Sequence, residues 1–281
     1  MKVVTKIKEI SSIITSLQSS QKTIGLTPTM GALHQGHLSL IHKSTMENDF
    51  SVVTIFVNPT QFDKKEDLEN YPSTLQKDID LLKETKCNIL FAPEANEIYQ
   101  NQISSELFSF DGLEFEMEGK HRKNHFNGVG TIVKKLFEIT QPTKAYFGQK
   151  DFQQLQIIRK MTEKENLPIE IIGCPILRES DGLAMSSRNL RLSAKQRKEA
   201  SLIYKTLKKA VELFKNKSIP EINEYVVSQY KMNETLDLEY FEIAEETTLQ
   251  TVKEKNAEKK YRAFIAVSAK NIRLIDNITL S

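Results

Sequence analysis

Apolar residues along this chain recur with two periods. Ile7, Ile10, Ile13, Ile14 and Leu17 fall three or four apart, the spacing that gathers one face of a helix. Residues 23–27 form a short apolar segment suited to a buried strand, closed by Pro28. Beyond His37, the residues Leu38, Leu40, Ile41 and Met46 predict the buried stripe of a second helix. Residues 50–57 are β-branched or apolar nearly throughout, as a parallel strand covered on both faces should be. A polar loop at 58–62 follows at its carboxyl end, where ligands sit in open α/β sheets.

The alternation continues with a helix over 75–86 and a strand over 89–92 stopped by Pro93. Residues 103–119 are less regular, and 119–128 read as a basic loop. A helix then carries Val129, Ile132, Val133, Leu136 and Phe137. A short strand at 145–147 feeds Gly148, Gln149, Lys150 and Asp151, a helix begins near Phe152, and a strand over 169–174 precedes Pro175. Repeated strand-then-helix units predict an α/β fold with a parallel, doubly wound sheet. From Ser193 the pattern changes to a Lys-rich amphipathic helix over 195–215, another over 222–230, and strand-like pieces at 238–243, 262–267 and 272–276. That order predicts a smaller C-terminal α+β domain, dividing the chain into residues 1–176 and 177–281.

Composition narrows the partners. A chain of 281 residues with 39% hydrophobic content can bury a sizeable core. Lysine and arginine number 39 against 37 acidic residues, so no global basic field predicts nucleic acid or a membrane surface as a partner. Cys87 and Cys174 lack the spacing of a zinc site or disulfide framework, which suits a reducing, cytoplasmic setting. The first residues lack a signal peptide's apolar core, and no run approaches the roughly 20 apolar residues of a spanning helix.

The chemistry concentrates in residues 27–41. Gly31 and Gly36 let backbone approach a bulky ligand, and His34 and His37 stand three apart where a helix begins. Imidazoles beside helix-terminal amides can donate to phosphate oxygens and exchange a proton near neutrality. The same pair also reads as two metal ligands or as two surface histidines.

His34-Gln35-Gly36-His37 resembles the His-x-Gly-His signature of the nucleotidylyltransferase superfamily, whose members share a Rossmann-like fold. The longer string from Pro28 to Ile41 is similar to the pantothenate synthetase (pantoate-β-alanine ligase) family. Five further blocks follow in that family's order: Ile55 to Phe62; Tyr71 to Thr74 with Asp78; His125 to Val133; Phe147 to Gln154; and Arg178 to Asn189.

The resemblance implies ATP-dependent condensation of pantoate with β-alanine, through a pantoyl-adenylate, with release of pyrophosphate and AMP. It implies that Met30, Gly31, His34 and His37 cradle ATP, with His37 as proton donor, and that Gly148, Lys150 and Asp151 stand at the nucleotide. Met185, Ser186, Ser187 and Arg188 would reach over the triphosphate, and Leu177 would lend a backbone contact to adenine. His34, His37, Lys150 and Arg188 would thus be catalytic. Gln61 and Gln154 are implied pantoate ligands, joined by Asn58, Arg122 and His125, with Asp78 near Mg²⁺. A homodimer is implied too, as is a C-terminal domain acting as a lid.

The chain departs from the family pattern at Gln35 and Gln149, where an acid is common, and at Lys123-Asn124, where Pro-Gly usually precedes His-Phe. Two other functions share part of this chemistry. A nucleotidylyltransferase would stop at an adenylyl or cytidylyl product and would not need the paired Gln61 and Gln154. A non-catalytic nucleotide-binding protein would bind ATP without turnover.

Overall fold

A computed structural model describes residues 1–62, 68–69, 71–72, 74–100 and 102–280. Two compact units emerge. The first comprises Met1–Glu114, Gly119–Gln149 and Gln154–Pro175; the second comprises Phe115–Glu118, Lys150–Gln153 and Ile176–Ser281.

The first unit is built on a six-stranded sheet: β1 (Lys2–Val4), β2 (Ile24–Thr29), β3 (Phe50–Ile55), β4 (Ile89–Phe91), β5 (Lys144–Gly148) and β6 (Glu170–Cys174), in the order β1-β4-β3-β2-β5-β6. Every pairing is parallel. Ile24, Leu26, Val52, Val53, Ile89, Leu90 and Phe91 are buried, which explains why these strands read as continuous apolar runs. Helices α1 (Ile7–Ser19), α2 (Gln35–Glu47), α3 (Leu75–Lys83), α4 (Ala95–Tyr99), α5 (Met117–His121), α6 (His125–Thr140) and α7 (Phe152–Lys164) connect them. Their buried residues recur at helical spacing, as in Ile10 and Ile14 of α1 or Val129, Ile132, Val133, Leu136 and Phe137 of α6.

Some sequence expectations shift. The three-residue strand β1 carries no period that a sequence pattern could reveal. Met46 is 72% exposed instead of buried; five residues past Ile41, it lies about 140° round the helix from that side chain. The basic stretch 119–128 is largely helical, ending α5 and beginning α6.

β2 and β5 are sequence-distant neighbours at the centre of the sheet, where strand order reverses, so a ligand crevice opens at their carboxyl ends. Pro28 belongs inside β2, not after it, in register with Thr54 of β3. Its position is explained by alternation. The Ile24 carbonyl faces β5 and accepts from Thr143 N, whereas the Thr29 carbonyl faces β3 and accepts from Phe56 N. Residue 28 therefore faces the β5 side, where pairing has already ended at Leu26 and Ala145. A proline there leaves no ladder bond unmade.

The second unit carries an antiparallel sheet, β7 (Asp237–Glu245), β8 (Tyr261–Ala269) and β9 (Ile272–Leu280), in sequential order. The predicted helix over 195–215 is two helices, α8 (Ala194–Glu199) and α9 (Ser201–Phe214), flanking the fully buried Ala200. Helix α10 (Ile219–Tyr230) follows. Ser193 with Gln196, and Ser218 with Glu221, form reciprocal capping boxes that start α8 and α10. Ile203, Leu207, Ile222, Val226, Ile265 and Val267 pack into one core. Glu118 joins this unit through Arg273, whose guanidinium donates to both carboxylate oxygens at 2.6 and 2.8 Å, and through the Tyr240 hydroxyl at 2.8 Å.

Among the described residues, no helix is long and apolar enough to cross a membrane. Cys87 and Cys174 are free and buried, and burial pushes both thiols up to about 11. At pH 8 only about one thiol in a thousand is then ionised. Ellman's reagent should therefore label neither cysteine of the native protein within minutes and both after denaturation in urea.

Candidate functional site

The chain leaves β2 through a bend that only particular residues allow. Gly31 has φ +83°, and a Cβ there would lie 3.1 Å from Asp78 Oδ2 and 3.2 Å from Ile55 Cγ2; Ala32 follows at φ +50°. Two positive φ values in succession turn successive amides to one side. Asp78, on the first turn of α3 and 2% exposed, receives them. Its Oδ2 accepts from Ala32 N at 2.9 Å and Thr74 Oγ1 at 3.0 Å, and its Oδ1 accepts from Leu33 N at 2.8 Å. Both oxygens of the residue expected beside Mg²⁺ are thus turned to the loop. Ser73, in the same block, lies outside the described residues.

The bend delivers His34 to the N-cap of α2, which begins at Gln35, ahead of the apolar stripe that starts at Leu38. His34 Nδ1 accepts from Gly36 N at 3.1 Å, and His37 Nδ1 accepts from His34 N at 3.4 Å. The two rings lie 4.1 Å apart between centroids. An imidazole whose Nδ1 accepts carries its proton on Nε2 when neutral. Capping the helix therefore sets the proton of each neutral histidine on Nε2, beside amides that already favour an anion.

A second polar cluster stands behind β3. Asn58 is 1% exposed and fully engaged. Its Nδ2 donates to Gln61 Oε1 and the Gly128 carbonyl, both at 3.0 Å, and its Oδ1 accepts from the Tyr99 hydroxyl at 2.6 Å and Thr60 Oγ1 at 3.1 Å. A Cβ at Gly128 would fall 2.4 Å from the Thr60 carbonyl oxygen, so only glycine lets α6 come this close. Asn58 thus aims Gln61, whose Nε2 donates to Met30 Sδ at 3.2 Å.

His125 and Arg122 complete the arrangement. A guanidinium can only donate, so His125 Nε2 accepts from Arg122 Nη1 at 3.0 Å and Nδ1–H donates to the Gln61 carbonyl at 2.9 Å. Arg122 Nη2 also donates to that carbonyl at 3.4 Å. Both residues therefore hold Gln61 by its backbone. Gly148 ends β5 at the crevice, and Gln154 is half-buried on the first turn of α7.

The remaining expected residues belong to the second unit. Lys150 and Asp151 form a turn with Nζ 3.6 Å from the carboxylate. Arg178 bridges to Ala184, and Met185 N donates to the Leu177 carbonyl at 3.0 Å, making a hairpin that delivers Met185, Ser186, Ser187 and Arg188. Ser186 Oγ caps the turn that follows by accepting from Arg188 N at 3.2 Å. Arg188 is exposed and Leu177 is 40% exposed.

Comparison with known proteins decides what this arrangement is. The family model described as pantoate-beta-alanine ligase matches residues 2–279. The chain belongs to the pantoate-beta-alanine ligase family. It is therefore an enzyme that joins pantoate to β-alanine. A pantothenate synthetase of Christiangramia forsetii is 57% identical, over 95% of each chain. The crystal structure of the pantothenate synthetase of Thermus thermophilus superposes with a TM-score of 0.91 at 36% identity, over 99% of both chains. The pantoate-beta-alanine ligase of Francisella tularensis, solved in complex with beta-gamma ATP and beta-alanine, superposes at 0.81 with 35% identity, over 99% of this chain and 97% of that one.

The departure before His125 from the ligase pattern has a structural answer. Asn124 adopts φ 59°, ψ 0°, the left-handed region. Asparagine is among the non-glycine residues that most readily adopt it. Tyr99 escapes a sequence reading, since it acts on Asn58, a partner 41 positions away.

Asn124→Gly should leave stability within about 0.5 kcal/mol, whereas Asn124→Val should cost about 1–2 kcal/mol. Asp78→Asn, which sets an amide N–H against loop donors, should cost about 2 kcal/mol or more. Urea titrations monitored by circular dichroism measure all three.

Proposed function

We propose that this chain makes pantothenate in two steps at the β2–α2 junction. A pantoate carboxylate oxygen bonds to the α-phosphorus of ATP as the bond to the bridging oxygen breaks, releasing pyrophosphate. The β-alanine nitrogen then bonds to the acyl carbon of pantoyl-adenylate as the carbon–oxygen bond to AMP breaks, and the ammonium proton passes to solvent. The observation that carries this reading is the placement of His34 and His37 together at the start of α2, their rings oriented by the capping bonds beside a loop that Asp78 holds.

Both steps develop charge on phosphate oxygens, so fixed donors are what the reaction needs. His37 and His34 meet the phosphates, and Met30 and Gly31 line the approach with Gly148. Lys150 and Arg188 supply cationic contacts to phosphate oxygens, and Ser186 and Ser187 supply hydroxyls. Asp151 accepts from ribose hydroxyls, and Leu177 gives the adenine a backbone contact near Met185. Gln61 and Gln154 hold pantoate, since an amide both donates and accepts. Asn58, Arg122 and His125 serve pantoate through Gln61, which they aim.

Mg²⁺ accompanies ATP in this reading, but Asp78 does not fit as its ligand, because both oxygens are engaged by the loop and Thr74. Phosphate oxygens and water are the ligands magnesium prefers at such sites. Two buried, unpaired thiols support a cytoplasmic setting, and a homodimer completes the proposal.

Pyrophosphate and AMP release, followed with pantoate and β-alanine added separately and together, tests the reaction. AMP should appear only with both substrates present; AMP with neither, or ATP binding without turnover, would refute it. His37→Ala should lower kcat/KM for ATP by about 100-fold or more, with an unchanged far-UV spectrum.

A further inference from the structure

We propose that Asp276 and Asn277, adjacent on β9, are positioning residues that together hold the Lys150–Asp151 turn and the hairpin that presents Ser186 to Arg188. The inference rests on the reading above that those two segments meet ATP. Asn277 is 1% exposed. Its Nδ2 donates to the Lys150 carbonyl at 2.8 Å, and its Oδ1 accepts from Arg262 Nη1 at 2.6 Å. An amide performs both tasks at once, which a carboxylate cannot. Arg262 stacks 4.0 Å from the Phe152 ring centroid, so the chain from 150 to 152 is gripped at a carbonyl and at a ring. Donation from Arg262 Nε to Glu246 at 2.9 Å anchors the guanidinium, and Thr279 Oγ1 accepts separately from Nη2 at 2.7 Å.

The preceding residue grips the other segment. Asp276, 3% exposed, accepts from Arg178 through both oxygens, at 2.6 and 3.0 Å. Arg178 lies 3.9 Å from the Tyr204 ring centroid and donates to the Gly182 carbonyl at 3.0 Å, inside the hairpin. Asn277 N closes the unit by donating to Asp276 Oδ1 at 2.8 Å. Burial pushes the Asp276 carboxyl up, while its hydrogen bonds from Arg178 and the Lys150 charge oppose that rise. Two segments far apart in sequence therefore take their positions from neighbouring residues of one strand. Because paired, buried hydrogen bonds allow little play, a change at either should reach the nucleotide without touching it.

The test uses the full-length enzyme with three single variants, Asn277→Asp, Asp276→Asn and Thr279→Val. The last removes one Arg262 bond while Glu246 and Asn277 still hold the guanidinium, and it touches neither segment. Calorimetry gives Kd for ATP, and AMP release gives KM for β-alanine. Loss of one such hydrogen bond should raise Kd for ATP about five- to tenfold in Asn277→Asp and Asp276→Asn, with KM for β-alanine within about twofold and Thr279→Val near wild type. Added to Lys150→Ala, Asn277→Asp should raise Kd by less than it does alone; added to Arg188→Ala, Asp276→Asn should likewise add less than its full effect. Unchanged Kd for ATP in the folded single variants, full additivity in both pairs, or the same defect in Thr279→Val would overturn the proposal. If Asn277→Asp does not fold, Asp276→Asn and its pair with Arg188→Ala decide alone. Wild-type enzyme that releases no AMP would instead refute the ligase reading, a separate outcome.

Discussion

The crevice of the first unit depends on one carboxylate. Two successive residues with positive φ, Gly31 and Ala32, aim amides inward, where water cannot satisfy them. Asp78 accepts from Ala32 N and Leu33 N across more than 40 positions of sequence. A buried charge is costly unless hydrogen-bonded, and a buried amide is costly unless accepted; here each removes the other's penalty. Because the loop is held at its root, the histidines that follow can commit their Nδ1 atoms to capping, which orients both rings at the helix start.

The cluster behind β3 follows the same logic. Asn58, Tyr99, Arg122 and His125 direct their polar groups at one another and at Gln61. Such closed networks fix the aim of one side chain more firmly than isolated bonds would. Gln61, with an amide that both donates and accepts, and the two histidines are the members whose chemistry suits substrates.

Much of this was legible in the sequence, for physical reasons. Strands buried on both faces, such as β3, must be apolar throughout, and helices such as α6 must show one stripe, so their order announced a doubly wound sheet. The His34–His37 spacing also announced itself, because capping and phosphate contact both need residues at a helix start. What stayed hidden is what acts at a distance. The family resemblance implied Asp78 as a metal neighbour, and only coordinates reveal that its oxygens face amides. The tolerance of Asn124 in place of glycine depends on a backbone angle, which composition does not carry. Asn277 sits in a strand with no motif around it.

Pro28 gives the sheet a built-in limit. A parallel strand pair zips forward one amide at a time, and each further bond between β2 and β5 would draw their carboxyl ends together and narrow the opening. Residue 28 is the next in β2 to face β5 after Leu26, and it has no hydrogen to give. A missing atom in the backbone therefore removes the next bond that would draw the mouth of the crevice together.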